Sequence, residues 1–523
     1  MISWSFMMSK FAYGLKRIIN IFESTPLVYS IVFLFAWIFL RIFLEGQFEF
    51  FHSIGLIPFS YRSIIMYFIH FPMFYLSLFQ LITIIISVIS RVPIKTVIKS
   101  TSCGMILLLL VPILDAVLGH GYLITYPLRL EKYFISFLNP LVTLSDIGVS
   151  SGQRIVIVLI VILVGIYMAV KTSNIFKSIL TAALVLLCII IFGGLTTVIA
   201  GNRPELLYIS GGLLYTDSQK FAIIYGILFI ITFFISLYMF DPKTFRRLII
   251  SMRVERMAFY GGTGLFGLVL AGHMKANLYV HGIFDFFGII CIFLSLGFAF
   301  WALQILNDFF DRTGDTISRA RNPLLDNIEP RYYAVFGFSV AVIALLLAAT
   351  LNYTAFLIMI TYLLIGVIYS MPPVRLKRFP FISTFVIAIA VILSMGMGFT
   401  IYFHEKALSY IPGSVILPTL IGVTLGFVAK DLNDIESDKK TGVITIPVLL
   451  SMKNQILCRL FMAIILSFSF VIYSFFNNEV LPGALIAGII TLIYTLFAKR
   501  ISESVYFLLL YSFGIYYLFI LIH

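Results

Sequence analysis

The chain is short of charge. Lys, Arg, Asp and Glu supply 11% of its 523 residues, against about 25% in an ordinary globular protein. So few charges cannot cover a folded surface in water, which excludes a soluble enzyme and an intrinsically disordered chain. Cysteine is scarce too. Cys103, Cys188, Cys291 and Cys458 are scattered through apolar stretches, so neither a disulfide scaffold nor a cysteine metal site is indicated. The seven histidines are equally dispersed. Hydrophobic residues fill the space, at 61% of the chain and a mean hydropathy of +1.08. They come in near-continuous Leu, Ile, Val and Phe runs of about 20 residues, the length of a membrane-spanning helix and not of a ten-residue barrel strand. The fold class is an all-α polytopic membrane protein.

The net charge of +13 lies in the segments between apolar runs. That is the positive-inside pattern of cytoplasmic loops, so no nucleic acid is implied. Residues 1–20 are mixed, with Lys10, Lys16 and Arg17, and do not read as a cleaved signal peptide.

Six spans are expected in the first half, near 26–44, 64–90, 104–119, 154–170, 178–199 and 220–240, with 121–150 a loop or interfacial segment. Asp115 falls near the outer end of its span and reads as an interfacial acid. The hydrophilic break Asp241–Arg247 divides the chain into an N-terminal transmembrane module, 1–240, and a second domain, 241–523. The second domain has nine expected spans, near 256–272, 284–306, 332–350, 354–370, 380–402, 413–430, 456–475, 480–497 and 503–521. Alternate loops there collect nineteen Lys and Arg, against Lys275 and Lys406 alone on the opposite side. That asymmetry puts the richer side, and the N-terminus with it, in the cytoplasm.

Two acidic clusters end spans on this cytoplasmic side. In Asn307-Asp308-Phe309-Phe310-Asp311-Arg312-Thr313-Gly314-Asp315, helical spacing puts Asn307, Asp308, Asp311 and Asp315 on one face. In Asp431-Leu432-Asn433-Asp434-Ile435-Glu436-Ser437-Asp438, it does the same for Asp431, Asp434 and Asp438. Carboxylates stacked on one face repel unless a counter-ion joins them. Oxygen ligands suit Mg²⁺, which bridges one or two carboxylates to phosphates. A third stretch, Tyr369-Ser370-Met371-Pro372-Pro373-Val374-Arg375-Leu376-Lys377-Arg378, ends a helix at its prolines. It presents Arg375 and Lys377 from one edge of a turn, suited to a diphosphate.

Taken together these three stretches resemble the motifs of the UbiA-type intramembrane prenyltransferases, over residues 241–523. The first acidic cluster matches the family's Asn-Asp-x-x-Asp-x-x-x-Asp, the second its Asp run after the sixth helix, and the proline turn its loop after the fourth. Two positions depart from the pattern. The chain has Arg321-Asn322-Pro323-Leu324 where members often carry a fuller Arg-Pro pair, and Ser437 where a Gly commonly precedes the last Asp.

The resemblance implies a nine-helix bundle preceded by about six further transmembrane helices. It implies Mg²⁺-dependent transfer of an isoprenyl group from a prenyl diphosphate to a lipophilic or aromatic acceptor, in the bilayer, with the site facing the cytoplasm. Asp308, Asp311, Asp315, Asp431, Asp434 and Asp438 would hold metal, with Asn307 as a neutral ligand. Arg375 and Lys377, with Lys430 and Lys439, would bind the diphosphate. Tyr369 would contact it or shield the allylic cation. Two other classes stay open: a catalytically degenerate lipid-binding scaffold, and a polytopic lipid transporter or flippase. Oligomeric state is not readable.

Overall fold

The computed structural model describes the chain except residues 1–3, 54–59, 119–125, 128, 139–147, 202–213, 215, 276–281, 313–314, 317–321, 326–327, 433–434, 452–454 and 499–500. The described residues are helical, with no strand among them. Fourteen of the helices are long and apolar enough to cross a membrane. Many Ile, Leu and Phe side chains on their outer faces are exposed, Phe338 at 72% and Ile515 at 72% among them. A lipid-facing surface requires that inversion of the soluble pattern. The protein is an integral, multi-pass membrane protein. It divides into two compact units, Met1–Phe245 and Arg246–His523.

Six of the fourteen helices belong to the first unit: Leu27–Glu45, Tyr61–Ser90, Ile94–Val117, Ser151–Thr172, Ile175–Ile199 and Asp217–Phe240. Two of them start at capping boxes, Ser150 with Gln153 and Thr216 with Gln219, each pair satisfying otherwise orphaned amides at a helix start. Asp115 lies two residues before the end of its span, as expected, and is buried against the start of the Ser151–Thr172 helix. It is 1% exposed, and its carboxylate accepts from the Gly152 amide at 2.7 Å and the Ser150 hydroxyl at 2.6 Å. A buried acid is thus matched to the positive end of a neighbouring helix. Arg41 and Glu45, also buried, pair at 2.7 Å one helical turn apart.

The second unit contributes nine long helices among the described residues: α1 (Val254–Met274), α2 (Ile283–Phe310), α3 (Pro330–Leu351), α4 (Tyr353–Ser370), α5 (Ile382–Phe403), α6 (Gly413–Gly426), α7 (Gln455–Val471), α8 (Leu481–Phe497) and α9 (Glu503–Ile522). Fifteen spans were expected in all, and α1 is the one outside the fourteen. Gly261, Gly262, Gly264, Gly267 and Gly272 dilute its apolarity, while its 21 residues still reach about 31 Å at 1.5 Å per residue.

Those glycines serve packing. A Cβ on Gly398 of α5 would overlap the Gly264 carbonyl and the Leu268 amide, and one on Gly267 would overlap the Met395 carbonyl. Backbones of α1 and α5 therefore touch, as small residues allow between membrane helices. A Cβ on Gly264 would also meet the Leu296 side chain of α2, so three helices close on one another at this depth.

Candidate active site

The first acidic motif straddles the end of α2. Helical bonding carries on past the last residue, since the Asp311 amide donates to the Asn307 carbonyl at 2.9 Å and the Asp315 amide to the Asp311 carbonyl at 2.8 Å. This keeps Asn307, Asp311 and Asp315 stacked over one cavity. After α4, Pro372 and Pro373 remove helix donors, and Arg375 takes a left-handed φ of 44°. A non-glycine residue persists there only when its surroundings hold it. Here the Arg375 guanidinium Nη2 donates to the Asp311 carboxylate at 2.8 Å and to the Phe310 carbonyl at 3.1 Å.

The proline turn thus folds its cations onto the first motif. Lys377 donates to Asn307 Oδ1 at 2.9 Å and ion-pairs with Asp311. Asn307 in turn donates to Asp311 Oδ2 at 2.7 Å and accepts from the Ser370 hydroxyl. Burial tends to raise the Asp311 carboxyl pKa, but Lys377 and Arg375 outweigh it and hold the group below the usual range. Burial lowers the Lys377 pKa despite Asp311, with the charges of Arg375 and Lys430 adding to the fall. Among the described residues no cation is hydrogen-bonded to Asp315. Burial raises its pKa and the Asp311 charge raises it further, against a hydrogen bond from Asn322.

The two acidic motifs meet across one cavity of about 700 Å³. Asn307, Asp311 and Asp315 line it from one side, Asp431 and Asp438 from the other, with Arg375, Lys377 and Lys430 between them at the mouth. Lys430 donates to the Tyr369 hydroxyl at 2.6 Å and lies over its ring at 5.3 Å, which fixes both at the mouth. The Ile444 amide bonds the Arg378 carbonyl at 3.3 Å, tying the second-motif loop to the proline turn. Further in, the lining turns apolar on α2, α4 and α5.

Three placements differ from the sequence reading, and a fourth residue lies outside the described ones. Asp308 is not part of the lining. It is 1% exposed, and its two oxygens accept from Gln304 at 2.7 Å and the Tyr333 hydroxyl at 2.6 Å, because α3 packs against that side of α2. The second motif is not one helical face. The chain makes a 3₁₀ turn over Phe427–Leu432 and starts a separate helix at Ile435–Thr441, so ideal helical angles do not carry across it. Asp434 lies outside the described residues. Lys439 is exposed and not in the lining, whereas Lys440 is.

Several neighbours were not singled out from the sequence. The Asn322 amide donates to the Asp308 carbonyl at 2.8 Å and to Asp315 at 2.7 Å. Its only signal was its position in the departure from the Arg-Pro pair. Arg256 pairs with Glu503, and both line the cavity with Arg253. Charges at opposite ends of the domain's sequence give no hint of meeting. Gln304 had a weak signal, a polar residue one turn before Asp308 inside an apolar run.

Among the described residues no three His, Cys, Asp or Glu side chains gather closely enough to enclose a metal ion. The donor set is nevertheless all oxygen, carboxylates facing each other across an open cavity. That suits a hard cation that keeps its waters and shares carboxylates with a phosphate, the habit of Mg²⁺.

Residues 263–503 match the UbiA prenyltransferase family. The digeranylgeranylglyceryl phosphate synthase of Pyrococcus horikoshii is 27% identical over 219 residues, 41% of this chain and 72% of that protein. The enzyme of the same name from Thermococcus sibiricus is 29% identical over 155 residues, 29% of this chain and 52% of that one; the chain spans about half the length of this relative. A solved structure of a UbiA homolog from Archaeoglobus fulgidus, bound to GPP and Mg²⁺, aligns over 54% of this chain and 99% of its own, at 20% identity and a TM-score of 0.38. The segment 263–503 of this chain, which carries both acidic motifs and the proline turn between them, is a UbiA prenyltransferase family domain.

Proposed function

We propose that the second unit transfers an isoprenyl group from a prenyl diphosphate to a lipophilic acceptor, with Mg²⁺, at the cytoplasmic face of the membrane. The observation that carries this is the polarity gradient of one cavity: acids and cations at the mouth, apolar helix faces inside. An amphiphile with a dianionic head and a hydrocarbon tail fits that gradient. The nineteen-to-two distribution of Lys and Arg supports the cytoplasmic orientation of the mouth. Residues 1–240 are read as a separate N-terminal transmembrane module.

In the reaction the bond between the allylic carbon and the diphosphate oxygen breaks, its electron pair leaving with diphosphate. The acceptor nucleophile bonds to that carbon and gives up its proton to the departing diphosphate. Asp311, Asp315, Asp431, Asp434 and Asp438 would hold Mg²⁺, which when bound neutralises the charge developing on the phosphate oxygens. Asp308, turned toward Gln304 and Tyr333, positions the motif and is one carbonyl away from Asn322. Arg375 and Lys377 exchange Asp311 for phosphate oxygens and supply fixed positive charge where negative charge grows. Lys430 does the same from the opposite wall, with Lys439 and Lys440 on the adjoining helix as outer attraction for the anion. Tyr369, held by Lys430, presents its ring near the allylic cation.

The test is product formation and diphosphate release by the full chain in lipid, with prenyl diphosphates, Mg²⁺ and a panel of lipophilic acceptors. Turnover that EDTA removes and Mg²⁺ restores, and that Asp311→Ala abolishes, is expected. Full turnover in Asp311→Ala would sink the assignment.

A further inference from the structure

The first unit buries two acids near the ends of two of its spans, and they are held differently. Asp115, near the end of Ile94–Val117, is a satisfied carboxylate: the Ser150 hydroxyl donates to one oxygen and the Gly152 amide to the other. Glu45, the last residue of the span Leu27–Glu45, is 4% exposed. Arg41 stands 2.7 Å from its Oε2, while Oε1 has no hydrogen-bond partner among the described residues. A buried acceptor left bare is uncommon and costly. An ionisable residue inside a membrane is a functional site by default.

The Asp115 charge reaches Glu45 from the neighbouring span, and two carboxylates in one apolar site do not both ionise freely. Unequal surroundings divide the roles of such a pair. The acid with donors keeps its charge; the bare one is buried far more cheaply as a neutral carboxyl. Other charged groups on the packed helices are engaged elsewhere. Arg62 pairs with Asp217, and His70 bonds Tyr126. Lys99 donates to the Glu23 carbonyl and Lys95 lies over the Phe240 ring, both at the far end of Ile94–Val117. Arg154 donates to the Ser136 carbonyl and the Ser151 hydroxyl. We infer that Glu45 is a proton-binding site of the first unit: beside an ionised Asp115 it takes up and releases a proton within the fold. Glu45 ends its span, so the proton comes from the adjacent membrane surface. Proton-coupled transport needs a group of this kind. The assignment is independent of the prenyl-transfer reading.

The test uses the full chain in lipid and dicyclohexylcarbodiimide, an apolar reagent that adds to protonated carboxyls and leaves a stable acylurea found by peptide mass mapping. Glu45 should be labelled at mildly acidic pH. The labelling rate should fall roughly tenfold per pH unit once the group has titrated. Asp115→Asn should move that fall to lower pH, because it removes the neighbouring negative charge. Thermal unfolding gives a second reading that does not depend on reagent access. The fold keeps a proton on Glu45 that the unfolded chain releases above the ordinary carboxylate range. Wild type should therefore lose stability relative to Glu45→Gln as pH rises. A Glu45 held permanently ionised by Arg41 gives the opposite trend, wild type gaining on Glu45→Gln as pH leaves the acid range. That opposite trend, or labelling of Glu45 that is absent or does not vary with pH, overturns the proton site.

Discussion

The side-chain amide of Asn322 reaches the Asp315 carboxylate at 2.7 Å and the Asp308 carbonyl at 2.8 Å. One residue thereby joins the segment after α2 to the motif that ends it. Asn322 is 2% exposed, and its own Oδ1 accepts from the Leu324 amide at 3.0 Å.

Asn322→Leu is therefore expected to leave those acceptors unmatched, at about 1–3 kcal/mol. Turnover should drop while the apparent Mg²⁺ requirement rises, because Asp315 loses its orientation. Asn322→Gln should restore part of it. A metal titration of activity for both variants, compared with melting in detergent, separates positioning from simple instability. Unchanged Mg²⁺ dependence in Asn322→Leu would remove Asn322 from this role.

Lys377 and Arg375 converge on Asp311 from one turn. Lys377→Met should lower turnover by about 10²–10³, the scale of losing one preorganised charge-stabilising donor. Arg375→Gly tests the backbone separately. Glycine accepts the φ of 44° without strain, so any activity lost belongs to the guanidinium. Comparable loss in Arg375→Gly and Arg375→Lys would show that planar two-point contact, and not charge alone, is needed.

The pH dependence has a definite sign. Asp315 is raised above the ordinary carboxylate range while Asp311, beside Lys377, is lowered below it. As pH falls Asp315 takes its proton first, and Mg²⁺ affinity falls with it while Asp311 stays ionised. Higher Mg²⁺ should restore activity on this acid limb. Asp315→Asn should remove the limb and weaken Mg²⁺ binding at neutral pH. Profiles at low and saturating Mg²⁺ measure both, and an acid limb that survives in Asp315→Asn would contradict the assignment.

Gly267 and Gly398 hold α1 and α5 in backbone contact. Gly398→Ala places a methyl where the Gly264 carbonyl and Leu268 amide stand, and neither belongs to a flexible side chain. Overpacking of this kind costs about 1–3 kcal/mol. Gly262, which has nothing within 4 Å of an added Cβ, is the control. Thermal unfolding in detergent should fall for Gly398→Ala and hold for Gly262→Ala. Equal melting of the two would discount the close approach.

The spans were legible because length and continuity of apolar runs depend on local sequence alone. The pairing of Asn307 with Asp311 was legible for a similar reason, since residues four apart share a helix face. Asp308 was not. Its angle on an ideal helix lies among the ligands, but Tyr333 of α3 and Gln304 claim both its oxygens, and only tertiary packing brings Tyr333 there. The second motif misled through the same idealisation, because the 3₁₀ turn at Phe427–Leu432 resets the angle before Asp438. Arg256 and Glu503 are 247 residues apart, a separation across which a single sequence gives no pairing signal.

The contact between α1 and α5 has a consequence for sidedness. Those backbones meet about a turn beyond Tyr260, so among the described residues the cavity does not pass between α1 and α5. In the proposed reaction substrate head groups and released diphosphate would then share one aqueous compartment. In the same proposed reaction a prenylated lipid made there would leave on the side from which its acceptor came. Any asymmetry between leaflets that this product creates would persist until a separate protein moved it across.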